Sequence, residues 1–167
     1  MTPAPEPRSA FDRISLRRLV LIRWVAVGGQ AATLLIVNYG LGFHLPLLPA
    51  LAVVACSVLV NLVFVVFRGA ATRLGEGEAA LYLGYDLLQL ALLLYLTGGL
   101  QNPFSILVLA PVTVAATILS KRPVGALAVL AVAAITVLAL WHLPLPWRSL
   151  PPMYRPVFPI ELVLGIW

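Results

Sequence analysis

Charge is what this sequence has least of. Eleven basic and six acidic side chains in 167 residues make 10%, where soluble domains carry about a quarter. A chain so poor in charge cannot clothe an ordinary water-soluble surface. Cysteine is almost missing as well. The single Cys56 lies inside an apolar run, which excludes a disulfide framework or a thiolate metal cluster and predicts a buried free thiol. There is no glycine-rich phosphate loop with its lysine, no zinc-ligand spacing, and no serine or cysteine nucleophile set with a histidine, so nothing here predicts an enzyme in its own right or a bound metal. The net charge of +5 raises the question of nucleic acid. The basic residues stand at segment ends instead of forming a stripe with interleaved aromatics, and no nucleic-acid partner is expected.

What is present is apolar length. Apolar residues make up 62% of the chain and the mean hydropathy is +1.03. They fall in runs of about twenty, the length a helix needs to cross hydrocarbon. The fold class is therefore all-α, a polytopic helical membrane protein. Residues 1–18, with Pro3, Pro5, Pro7, Arg8, Arg13, Arg17 and Arg18, read as a cytoplasmic segment suited to anionic headgroups. Residues 19–167 read as one six-helix domain with helices at about 19–39, 47–67, 80–97, 104–120 and 124–143, and a truncated sixth at 157–167. In the first, Gly28 and Ala32 form a small-xxx-small pair suited to close helix contact. In the fourth, Pro111 removes a backbone bond and predicts a kink.

Basic residues orient the domain. Arg8, Arg13, Arg17, Arg18, Arg68, Arg73, Lys121 and Arg122 fall on one side, Arg148 and Arg155 on the other. This bias puts the N-terminus in the cytoplasm and the junction of helices three and four on the outer side.

Polar groups inside or near the apolar runs are the candidate functional residues. Arg23 and Asp86 stand at similar predicted depth, and an unpaired charge there is costly unless it snorkels to the interface, so they form a possible intramembrane pair. Asn38, His44 and His142 lie near the outer interface, where solvated or capping roles suffice. Glu161 lies inside the last helix. It lines a functional cavity, together with His142, or meets headgroup water. Helices three and four are joined by Gly98-Gly99-Leu100-Gln101-Asn102-Pro103-Phe104. Paired glycines allow a left-handed exit from a helix, and Asn before Pro caps the next one. Physics alone reads a tight helical hairpin. As a ligand site it would offer amides of the first turn of helix four, the positive end of a helix dipole and the flat face of Phe104.

The heptapeptide, in Gly98, Gly99, Asn102, Pro103 and Phe104, resembles the quinone-binding motif of the RegB/PrrB/ActS family of redox-sensing histidine kinases. The stretch from Arg17 to Gln30 is similar to the start of that family's first membrane helix. The resemblance implies a membrane sensor module that binds ubiquinone at the outer turn and reads the quinone pool. It implies a homodimer in the bacterial inner membrane, controlling a cytoplasmic kinase that uses ATP and phosphorylates a response regulator. The kinase core would lie beyond Trp167. Cys56 does not correspond to the family's redox-active cysteine. Two readings from other classes stay open on the residues alone: a small carrier or channel subunit using Arg23, Asp86 and Glu161 as pathway groups, and a structural membrane anchor.

Overall fold

The computed structural model describes residues 16–40, 45–68 and 74–143, with side chains from Val20 onward except that of Arg68. Every element among them is helical. Helix α1 (Leu16–Leu35) continues into a wider π turn at Ile36–Gly40. It is followed by α2 (Leu47–Arg68) and α3 (Glu76–Leu96). A single 3-10 turn at Gly99–Gln101 leads to a 3-10 arm, Pro103–Leu109, that runs into α4 (Ala110–Ile118), and α5 spans Lys121–Leu140. Among the described residues, four helices are long and apolar enough to cross a membrane: Val20–Gly40, Leu47–Phe67, Glu76–Leu96 and Lys121–Leu140. The arm and α4 make a shorter apolar helix, Pro103–Ile118. The chain is a multi-pass membrane protein. The N-terminal segment before Leu16, His44, Glu161 and the expected sixth helix lie outside the described residues.

Local chemistry explains where the helices depart from the expected boundaries. α3 begins at Glu76 instead of Ala80 because the Gly75 N–H donates to Glu78 Oε2 (3.2 Å) while Gly75 O accepts from the Ala79 N–H (3.0 Å). Acidic Glu76 and Glu78 also suit the positive end of the helix dipole. α5 begins at Lys121 instead of Val124, since Pro123 in the first turn has no amide to lose there. Glu76 reaches across to accept the Ser120 N–H just ahead of it.

The fourth segment departs most. At Pro111, where a kink is expected, the helix changes type from 3-10 to α. Leu107 O would accept from residue 111 in an α-helix, but proline has no N–H. The Ala110 N–H takes that carbonyl in a 3-10 bond instead. The tighter winding also lengthens the segment. Seven 3-10 residues and nine α residues reach about 27 Å at roughly 2.0 and 1.5 Å per residue, close to the hydrocarbon thickness, where sixteen α residues would reach about 24 Å.

α3 is the central element. It packs on α2, α4 and α5, while α1 packs mainly on α2. One core joins Leu87 and Leu94 of α3 to Val108 of the arm and to Ala131, Ile135 and Leu138 of α5. Another joins Val27 and Leu34 of α1 to Ala50 and Val54 of α2 and Leu93 of α3. In lipid these contacts stabilise by close packing, since the alternative surroundings are equally apolar. Two expectations change here. Cys56 is exposed on α2, and Gly28 and Ala32 are exposed, with nothing within 4 Å of a Cβ built at Gly28. At Gly28 the helix face is open, whereas the exposed Cys56 thiol stands beside Tyr85 of α3.

Candidate ligand site

The turn between α3 and the arm is closed on itself. Gly98 has φ 105° and Gly99 φ 60°, left-handed values that glycine alone adopts without strain. The Gln101 N–H donates to Gly98 O (3.0 Å) and the Asn102 N–H to Gly99 O (3.2 Å). Asn102 then acts in both directions. Its Oδ1 accepts from the Phe104 N–H (3.0 Å), and its Nδ2 donates to Thr97 Oγ1 (2.8 Å) and Thr97 O (3.3 Å). Thr97 Oγ1 donates onward to Leu93 O (2.7 Å), and the Ser105 N–H donates to Asn102 O (2.9 Å). The turn is also roofed. The His142 ring lies so close over Gly99 that an added Cβ would sit 2.5 Å from its Cγ, and the Leu143 N–H donates to Tyr95 O (2.9 Å), tying the end of α5 to the end of α3.

A second polar cluster lies deep among α1, α2 and α3. Arg23 is 3% exposed and its Nε stands 2.8 Å from Asp86 Oδ1. Nη2 donates to Ser57 Oγ (2.9 Å), and the guanidinium carbon lies 4.3 Å from the Tyr82 ring centre and 5.0 Å from that of Tyr85. An arginine inside a membrane is thus surrounded by a carboxylate, a hydroxyl and two aromatic faces, the partners that lower its desolvation cost. The chain of contacts continues from Ser57 Oγ to Gln89 Oε1 (3.5 Å) and from Gln89 Nε2 to Gln30 Oε1 (2.8 Å). Beside it, the Tyr82 hydroxyl donates to Asn61 Oδ1 (2.7 Å).

One cavity of about 480 Å³ joins the two regions. α1 contributes Arg23, Ala26, Val27, Gln30 and Leu34 to its wall, the i, i+3, i+4, i+7 face of that helix. α3 contributes Asp86, Gln89, Leu90 and Leu93. Leu107, Ala110, Pro111 and Val114 of the arm and α4 close the opposite side, and Thr97, Asn102 and Phe104 stand at the turn end. Its size is that of a small-molecule site, and its lining is largely apolar with a few polar groups.

The structure sorts the expected site residues. Asn102 and Phe104 reach the cavity, with Phe104 42% exposed. Gly98, Gly99 and Pro103 shape the turn and do not line the cavity. His142 also stays outside it and covers Gly99. Arg23 and Asp86 both line its deep end. Asp86 sits midway along α3, deeper than expected, because that helix starts at Glu76. The expected ligand donors at the start of helix four are already engaged, since the amides of Phe104 and Ser105 both bond Asn102. Asn38 caps, accepting the Leu45 N–H (3.2 Å). Gln30, Ser57, Gln89 and Thr97 also line the cavity, though the sequence does not mark them as site residues. The available signal was the presence of amides and hydroxyls inside apolar runs.

Comparison with known proteins agrees with this architecture. The PilS-like transmembrane domain family matches residues 14–154. A sensor histidine kinase RegB of Cereibacter sphaeroides is 39% identical over 156 residues, covering 90% of this chain and 34% of that protein. A second Cereibacter sphaeroides sensor histidine kinase RegB is 39% identical over 80 residues, 48% of this chain and 17% of that protein. The chain thus spans about a third or less of the length of these relatives. No solved structure matches it.

Proposed function

We propose, from the premise that this chain belongs to the PilS-like transmembrane domain family, that it is the membrane sensor module of a histidine kinase and that its ligand is a quinone of the ubiquinone type. The identity to RegB proteins supports the kinase half of this reading. The observation that carries the ligand half is the apolar cavity that opens beside Asn102 and Phe104 and has a polar deep end. A quinone needs that combination: apolar walls for ring and isoprenoid tail, and a few polar partners for its oxygens. When bound, it supplies oxygens that accept hydrogen bonds when oxidised and can also donate them when reduced. The chain's part is to hold the quinone against Phe104 where the cavity opens and to keep the mouth in shape through the Asn102–Thr97 bonds.

In this reading the end of the bundle where α2 ends at Arg68 and α5 begins at Lys121 is cytoplasmic, as is the N-terminus, and the Gly98–Phe104 turn faces outward across a bacterial inner membrane. The module works as a homodimer, and ligand state passes to a cytoplasmic kinase that uses ATP and hands phosphate to a response regulator. Titrating the chain in nanodiscs with a short-chain ubiquinone, followed by tryptophan fluorescence, tests the ligand half. Wild type binds saturably. Phe104→Ala keeps its helical circular dichroism and binds about 5- to 150-fold more weakly, the loss of about 1 to 3 kcal/mol of aromatic contact. Equal affinity would remove Phe104 from the site, and no saturable binding to wild type would refute the quinone reading.

A further inference from the structure

Polar atoms at the two ends of the cavity differ in what they have left to offer. At the turn, the Asn102 amide, the Thr97 hydroxyl and the amides of Phe104 and Ser105 are all bonded within the turn. In the deep half they are not. Thr33 lines the cavity, and its hydroxyl has no hydrogen-bond partner among the described residues. Gln30 accepts from Gln89, but its own Nε2 donates to none of the described residues. Asp86 gives Oδ1 to Arg23 and leaves Oδ2 without a partner among them, on a side chain 20% exposed. Gln30 and Thr33 are one turn apart on α1, Asp86 and Gln89 one turn apart on α3, and the Gln30–Gln89 bond joins the two pairs. Free donors and a free acceptor in an apolar cavity are unsatisfied until a polar ligand or water meets them.

We propose that Gln30, Thr33 and Asp86 form the recognition end for the ligand's oxygen-bearing head group, and that the Gly98–Phe104 turn is the mouth through which it is held. The inference rests on the quinone reading above and changes where the head group lies. The amide of Gln30 and the hydroxyl of Thr33 donate to a ring oxygen, and the free oxygen of Asp86 accepts from a hydroxyl when the ring is reduced. Gln89 lies about 12 Å along α3 from Thr97, so the head group sits near mid-membrane with Pro111 and Val114 on the opposite wall.

The test is the same titration with short-chain ubiquinone, on Thr33→Val, Thr33→Ser and Gln30→Leu. Thr33→Val removes a hydroxyl that bonds nothing within the chain, so thermal stability stays at the wild-type value while affinity falls about 3- to 10-fold, one hydrogen bond's worth. Thr33→Ser restores binding, and Gln30→Leu weakens it at least as much as Thr33→Val does. Should Gln30→Leu fail to fold because Gln89 loses its acceptor, the Thr33 pair decides alone. Wild-type affinity in Thr33→Val, with Phe104→Ala still weakened, would overturn the deep head group and leave the quinone reading standing. Absence of binding in wild type would overturn both.

Discussion

The Gly98–Phe104 turn and the cluster around Arg23 are both polar, yet they solve opposite problems. The turn, from Thr97 to Ser105, binds its own polar atoms through Asn102 and covers Gly99 with His142. It is a finished piece of structure whose task is shape. The cluster around Arg23 spans three helices, and at Gln30, Thr33 and Asp86 it leaves hydrogen-bonding capacity facing a cavity. A turn that completes itself can fix geometry without a ligand. A half-completed network inside apolar walls stores capacity for one. A motif conspicuous in sequence can therefore frame a site whose polar contacts come from elsewhere.

The comparison breaks most readily at Arg23. Arg23→Leu leaves Asp86 without its cation in the interior and is expected to destabilise the fold by about 3–5 kcal/mol, measured by denaturant unfolding in detergent. Replacing both, Arg23→Leu with Asp86→Leu, recovers much of that loss because no orphan charge remains. Additive losses in this double-mutant cycle would show that the ion pair is not what holds α1 to α3. The turn should answer differently. Gly99→Ala imposes φ 60° on a residue with a Cβ and drives that atom into the His142 ring, for a cost of about 1–3 kcal/mol. Adding His142→Ala relieves the contact and leaves the backbone strain, so part of the stability returns. Full recovery would mean that the ring alone demanded glycine. The smallest effect sharpens the contrast. Gly28→Ala meets open space, and at a helical position it should stabilise by at most about 1 kcal/mol. A large loss there would reveal a contact that this chain does not itself supply.

Legibility from sequence follows the same division. Arg23 and Asp86 could be matched because each is the one charge in the interior of its helix, and a charge in hydrocarbon demands a partner wherever the helices sit. The left-handed glycines and the Asn102 cap were legible because turn chemistry is local. Gln30, Ser57, Gln89 and Thr97 could be seen as polar but not as neighbours, since their meeting depends on how three helices rotate and stagger, which apolar runs do not specify. The early start of α3 was hidden by charged Glu76 and Glu78, which argue against a membrane span by hydropathy and for a helix start by capping. Pro111 announced an interruption, but not that Ala110 would take the freed carbonyl and convert the preceding stretch to a 3-10 arm.

The measurement that bears most directly on the cavity as ligand site is photolabelling of the chain in nanodiscs with an azido-quinone, mapped by mass spectrometry. Labels are expected on α1 between Ala26 and Leu34 and on α3 between Asp86 and Thr97, and excess ubiquinone should suppress them. Labels confined to lipid-facing residues such as Leu21, Leu48 and Leu81, unaffected by competing ubiquinone, would contradict it.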